Sequence, residues 1–197
     1  NPTGGIVPPE DLKAIAEIAV KHDIPVLADE IYSRMLYDDD FASISAYDGM
    51  ADRLIILDGF SKTYAMTGWR MGYGIMPQET AKQVARLMVN SNSCTAAFTQ
   101  MAGIAALTGP QDAVTSMMEE FRKRRTVFQA GLDAIDGISC RIPGGAFYLF
   151  PNITGLKQPT QQFADHLLEE GGVASLSGTG FGQFGEGYLR FSYANSL

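Results

Sequence analysis

Apolar residues recur along this chain with two distinct periods. Leu12, Ile15, Ala16, Ile18 and Ala19 return at close to every 3.6 residues, which predicts an amphipathic helix over 11–22, entered through Pro8 and Pro9. Residues 24–28 then form a short, branched apolar run that ends in Asp29-Glu30, the pattern of a buried strand with carboxylates at its C-terminal end. Arg-Leu-Ile-Ile-Leu-Asp at 53–58 repeats this pattern, and 72–76 gives a third strand before Pro77 breaks it. Strands alternating with helices imply parallel β-α units. Residues 78–90 and 96–107 read as further helices. The stretch 112–135 reads as a longer one, whose Glu119, Glu120, Arg122, Lys123, Arg124 and Arg125 mark a solvated face. That long helix is the expected bridge between two domains.

Beyond it the character changes. Gly144-Gly145 leads into a strand at 146–150, followed by a helix at 160–170, a short strand at 173–176 and a last strand at 188–193. This is a smaller α+β unit, and 178–187 reads as a flexible Gly/Phe loop within it. The expected domains are therefore 1–110 and 111–197. The opening Asn-Pro-Thr-Gly-Gly is a turn with no element before it, and the chain stops just after a strand-like run, so a truncated chain is expected.

Composition narrows the function. The 197 residues, 46% hydrophobic and 19% charged, suit a soluble globular protein. Lys and Arg number 15 against 22 Asp and Glu, a net charge of −7, which offers no broad attraction for phosphate backbones or anionic lipid. Nucleic acid and membrane are thus not expected as partners. Cys94 and Cys140 lie far apart without metal-ligand spacing, which points to a reduced, cytoplasmic protein. His22 and His166 have no third ligand, so no metal is expected, and Met117 and Met118 read as core filling.

In open α/β sheets ligands collect beyond the carboxyl ends of the strands. Asp29, Tyr32, Ser61, Lys62 and Arg70 all stand just after predicted strands. Singly, each has an ordinary explanation in capping, packing or solvation. As an ordered set they do not. Asn-Pro-Thr-Gly at 1–4, Asp-Glu-Ile-Tyr at 29–32, Ser-Lys-Thr-Tyr-Ala-Met-Thr-Gly-Trp-Arg at 61–70 and Leu-Arg-Phe-Ser-Tyr-Ala at 189–194 resemble the fold-type I aminotransferases of classes I and II. The likeness runs through essentially the whole chain and is most specific over 59–74. It is nearest to the bacterial aspartate aminotransferase branch.

That resemblance implies an α/β architecture: part of the mostly parallel large-domain sheet of the pyridoxal-phosphate transferase fold with its flanking helices, plus the small C-terminal α+β domain. It implies pyridoxal 5'-phosphate as cofactor, bound through an imine to Lys62, which then serves as base and acid of a 1,3-proton shift. Asp29 matches the carboxylate that keeps the pyridine nitrogen protonated. Tyr32 and Asn1 match the two donors to the ring oxygen, and Ser61 and Arg70 match the phosphate ligands. Arg190 matches the arginine that grips the α-carboxylate of amino acid and 2-oxo acid substrates, with Asn1 beside it on the substrate side. The expected function is amino-group transfer, with aspartate as a donor suggested by resemblance alone. A lyase of the same fold and a non-catalytic effector domain are the alternatives. The family's N-terminal half and partner subunit complete each site, so the expected active species is a homodimer of the full-length protein, and the fragment alone is expected to be inactive.

Overall fold

The computed structural model describes residues 1–38 and 40–196; Asp39 and Leu197 lie outside the described residues. The chain forms two compact units, one of Val7–Val114 and one of Asn1–Ile6 with Thr115–Leu197. The sequence places its boundary at 110 and keeps the first six residues with the first segment. In the structure those residues join the second unit, where the Gly145 amide donates to the Gly4 carbonyl at 3.0 Å.

The Val7–Val114 unit opens with α1 (Pro9–Lys21), followed by β1 (Val26–Asp29), β2 (Leu54–Gly59), β3 (Gly72–Ile75), α2 (Gln78–Ser91) and α3 (Ala97–Thr108). Helix α1 starts two residues earlier than its apolar spacing predicts, because proline fits the first helical turn, where no amide donor is needed. Its Ala16 and Ala19 are buried against Ile44, Met50 and Leu54, with Val26, Ala28 and Ile56 of the sheet packed on the same cluster. Alternation explains why: Val26 and Ala28 share one face of β1, whereas Leu27 and Asp29 point to the other, which is open to solvent.

One expectation is corrected. β1 and β2 are parallel, with Val26 opposite Leu54 and Asp29 opposite Leu57. β3, however, runs antiparallel to β2, with Ile56 opposite Ile75 and Gly59 opposite Gly72. A parallel return needs a crossover, usually a helix. Residues 60–71 hold only turns and one 3-10 turn (Thr67–Trp69), so the chain simply folds back.

The second unit carries most of α4 (Asp112–Asp133), then β4 (Tyr148–Leu149), α5 (Thr160–Glu169), β5 (Leu176–Ser177) and β6 (Leu189–Ser192), in the antiparallel order β4-β6-β5. Leu149, Leu189 and Ile153 are almost fully buried. Phe121 and Phe128 of α4 pack on Phe147, Tyr193 and Phe191 at ring separations of 5.6–6.1 Å. Met117 and Met118 are half-buried. The strand expected at 173–176 is displaced to 176–177, because the Val173 amide is spent closing the end of α5 on the Leu167 carbonyl at 2.8 Å. Among the described residues no helix is long and apolar enough to cross a membrane.

Candidate active site

The backbone of the first unit gathers one set of functional groups. Asp29 is the last residue of β1, and its Oδ1 accepts from the Ile31 amide at 3.2 Å, which starts the turn carrying Tyr32. Gly59 closes β2 and Gly72 opens β3, and the two are paired. Ser61 follows Gly59 by two residues and Arg70 precedes Gly72 by two, so the pairing brings both to the same end of the sheet. Lys62 stands in the turn after Ser61, and Asp29 ends the neighbouring parallel strand at that same end. An amine, a carboxylate, a hydroxyl and a guanidinium thus share one edge, where open α/β sheets hold ligands.

The Gly59–Gly72 contact is close because neither residue has a side chain. A Cβ on Gly59 would lie 3.0 Å from the Gly72 Cα and 3.1 Å from the Met71 carbonyl oxygen. Behind the lysine turn, buried Phe60 packs on Tyr64 and Tyr73 at 5.6 and 6.0 Å between ring centres. The Tyr73 hydroxyl donates to Asp58 Oδ2 at 3.1 Å, while Asp58 Oδ1 accepts from the Gly59 amide at 2.6 Å. Burial, then the Asp58 carboxylate, push the Tyr73 phenol up to about 12. Arg34 also reaches the turn, donating to the Tyr64 hydroxyl at 2.9 Å and to Gln111 Oε1 at 2.8 Å.

Arg70 adopts a left-handed backbone (φ 53°) and donates to the Thr67 carbonyl at 2.9 Å. It lines an open cleft of about 840 Å³ together with Ala65, Gly68, Asn92, Thr95 and Phe98, a size within the range of small-molecule sites.

The second unit carries the other set. Leu189 and Phe191 of β6 are buried, so Arg190 between them takes the opposite face, where it is half-buried. Its Nη1 donates to Asn1 Oδ1 at 2.7 Å, across 189 positions of sequence. Its guanidinium also lies over the Tyr148 and Phe181 rings.

The sequence singled out every member of both sets by motif. It did not show the contacts that hold them: Arg34 with Tyr64, Asp58 with Tyr73, or the two rings on Arg190. Near Tyr148 the sequence showed only a Gly144-Gly145 turn leading into a strand. His22 and His166 belong to no group of three or more metal-ligating side chains among the described residues.

The donor set fits a phosphorylated pyridine aldehyde: an amine for the aldehyde, a carboxylate for the ring nitrogen, a hydroxyl and a guanidinium for a dianionic phosphate.

Comparison with known proteins identifies the family. The aminotransferase class I and II family matches residues 1–196. The chain is similar to the YugH protein of Bacillus subtilis (strain 168), 43% identical over the whole chain and 51% of that protein. It is also similar to an aspartate aminotransferase of Pyrococcus abyssi, 39% identical over the whole chain and 51% of that protein. Among solved structures, an aromatic aminotransferase of Pyrococcus horikoshii superposes with a TM-score of 0.95 at 38% identity, over all of this chain and 53% of that one. The chain therefore spans about half the length of the curated relatives it matches, and its architecture is that of the corresponding part of fold-type I aminotransferases. By sequence and by fold, this chain belongs to the class I and II aminotransferase family.

Proposed function

We propose that the protein containing this chain transfers an amino group between an amino acid and a 2-oxo acid, with pyridoxal 5'-phosphate held on Lys62. The observation that carries this reading is the gathering of Asp29, Ser61, Lys62 and Arg70 at one sheet edge through the β1–β2 register and the Gly59–Gly72 pair. Each group has a distinct task. The Lys62 amine would hold the cofactor's aldehyde carbon, and its Nζ would take up and return the proton at the substrate's α-carbon. Asp29 holds a proton on the ring nitrogen. Tyr32 would donate to the ring oxygen, and Ser61 and Arg70 would bind the phosphate with charge-assisted hydrogen bonds. Arg190, oriented by Asn1, grips the substrate's α-carboxylate in the planar two-point manner suited to a guanidinium. Bound at these residues, pyridoxal 5'-phosphate supplies the electron sink that stabilises negative charge on the substrate's α-carbon.

Aspartate is the donor to try first, since aspartate aminotransferases recur among the relatives. The 197 residues alone are inactive in this reading, because the relatives are about twice as long. The active species is a homodimer of the full-length protein in the cytoplasm.

The test is the absorption spectrum of the full-length protein purified with pyridoxal 5'-phosphate, before and after borohydride reduction, beside Lys62→Ala. The expected result is a visible band that reduction fixes to the Lys62 peptide, that aspartate bleaches and that 2-oxoglutarate restores with release of a new amino acid. Wild type and variant that are both colourless refute the cofactor assignment. A coloured protein that consumes the amino acid without aminating the oxo acid refutes the transferase in favour of a lyase.

A further inference from the structure

We infer that Phe181 is a positioning residue for the substrate's carboxylate: with Tyr148 it holds the plane of the Arg190 guanidinium. This rests on the reading of Arg190 as the carboxylate-binding group.

The geometry lies wholly within the second unit. The Arg190 Cζ is 4.4 Å from the Tyr148 ring centre and 4.8 Å from that of Phe181, both inside the ~6 Å reach of a cation–π contact. A guanidinium donates hydrogen bonds only in its own plane. With Nη1 committed to Asn1, the rings fix the direction in which the remaining N–H groups point. Their apolar faces also displace water that would compete with a carboxylate. Ring contacts thus convert a long, rotatable side chain into an aimed one, which lowers the ordering cost of binding.

Phe181 is itself held in place. The segment 178–187, which reads from sequence as flexible, folds as two successive 3-10 turns, Gly178–Phe181 and Gln183–Gly185. Its neck is closed by the Gly178 amide on the Tyr188 carbonyl at 2.8 Å and the Tyr188 amide on the Gly185 carbonyl at 3.1 Å. The neck admits glycine alone: a Cβ on Gly178 would sit 2.1 Å from the Gly185 oxygen, and one on Gly185 would sit 1.8 Å from the Gly178 oxygen. Gly182, directly after Phe181, has a φ of 117°, a conformation reserved for glycine. Phe150 meets Phe181 edge-on at 6.2 Å and stacks on Tyr188 at 5.0 Å. Turn, neck and buttress together deliver one ring to Arg190.

Exposure separates this role from core filling. Phe181 remains 40% exposed, more than a phenylalanine placed for burial alone. Phe184, in the same loop, is 88% exposed and provides an internal control.

The test uses the full-length protein in five forms besides wild type: Phe181→Ala, Phe181→Leu, Phe181→Tyr, Phe184→Ala and Arg190→Ala. Two readouts are taken: kcat and KM with aspartate and 2-oxoglutarate, and the rate at which phenylglyoxal modifies Arg190 in cofactor-free protein, followed by peptide mapping. For Phe181→Ala and Phe181→Leu, KM is expected to rise about tenfold with kcat within about twofold, as for lost uniform binding. Arg190 should be modified faster in both. Phe181→Tyr and Phe184→Ala should match wild type in both readouts. Wild-type KM and modification rate in Phe181→Ala overturn the proposal, and so does full retention by Phe181→Leu, since any apolar bulk would then suffice. An Arg190→Ala protein with unchanged KM refutes instead the parent reading of Arg190 and takes this proposal with it, whatever the modification rates.

Discussion

Gly59→Ala should be destabilising, and should weaken cofactor binding, although the residue has no unusual backbone angle. The added Cβ would meet the Gly72 Cα at 3.0 Å, the Met71 carbonyl oxygen at 3.1 Å and Ile31 Cδ1 at 3.5 Å. Two of these three are backbone atoms of the partner strand or the residue leading into it. They cannot rotate away while the ladder from Gly59–Gly72 to Ile56–Ile75 is kept. Relieving contacts about 0.5 Å short of the optimum requires the strands to shift, at about 1–3 kcal/mol. Against this, alanine restricts the unfolded chain and returns about 0.4–1 kcal/mol. The net expectation is a loss of about 1–2 kcal/mol. Gly74→Ala is the control that gives the comparison its force. Its Cβ would come closer still, 2.7 Å, but to the terminal methyl of Met76, a flexible side chain that can swing aside. Its stability should change by less than about 0.5 kcal/mol. Both are read from urea unfolding midpoints of the full-length protein at unchanged slope, with and without pyridoxal 5'-phosphate. Because the Gly59–Gly72 pair also brings Ser61, Lys62 and Arg70 to the same end of the sheet, Gly59→Ala should lose additional stabilisation by the cofactor, whereas Gly74→Ala should not. If Gly59→Ala proves neutral, or Gly74→Ala costs as much, the assignment of rigidity to this pair is wrong.

Three further outcomes follow from single environments. Tyr73, pushed up to about 12, favours the protonated phenol in the folded state; its stabilising contribution is present below the ordinary value of 10.0 and lost as pH rises through 12. A 295 nm titration should therefore lose a late-titrating tyrosine in Tyr73→Phe, and loss of one near pH 10 would contradict the Asp58 contact. Cys140 is buried, its thiol pushed up to about 11 by burial and then by Asp133, so it should resist alkylation at pH 8 until the protein unfolds. Modification in the native state, mapped by mass spectrometry, would refute that. Thr160 is fully buried; its hydroxyl donates to Glu186 Oε1 at 2.8 Å and accepts from the Gly187 amide at 2.6 Å. Thr160→Ala should cost about 1–3 kcal/mol by stranding that amide. Because Thr160's hydrogen bonds hold Glu186 below the usual glutamate range, stability from that carboxylate is present above its ordinary value and lost as pH falls through the lowered one. The variant should accordingly show less acid-dependent loss than wild type, measured by urea midpoints at pH 7 and pH 4.

The helices were legible because packing on one side imposes a 3.6-residue period that survives in the sequence. Strand direction was not. Gly-Tyr-Gly-Ile at 72–75 reads the same in either orientation, and the antiparallel pairing was decided by a connection that contains no crossover helix. The short strands of the second unit were read too long for a related reason. Their flanking residues are apolar but use their backbone groups elsewhere, as the Val173 amide does on α5. At the candidate site the motif string named the charged groups, since each is a residue type that the chemistry demands. The residues that aim them were hidden: Phe181 and Tyr148 are ordinary aromatics in sequence, and nothing local ties Arg34 to Tyr64 or Asn1 to Arg190.

The two sets of functional groups are held by different means, and this difference bears on what evolution or design can change. At the sheet edge of the first unit the fixing element is backbone against backbone, Gly59 on Gly72, where an added methyl would require the neighbouring strand to give by a few tenths of an ångström. A group placed this way is set by the strand register, and no neighbouring side chain can be exchanged to retune it. At Arg190 the fixing elements are side chains, two rings and an amide, each replaceable by another of similar size. Substitutions at Tyr148 and Phe181 should therefore alter carboxylate affinity in graded steps. Substitutions at Gly59 and Gly72 should act on cofactor retention and folding together. A library randomised at these four positions and sorted for cofactor retention should keep glycine at 59 and 72 while accepting several aromatic residues at 148 and 181. Free acceptance of larger residues at 59 would show that the sheet edge adapts more than its close contacts imply.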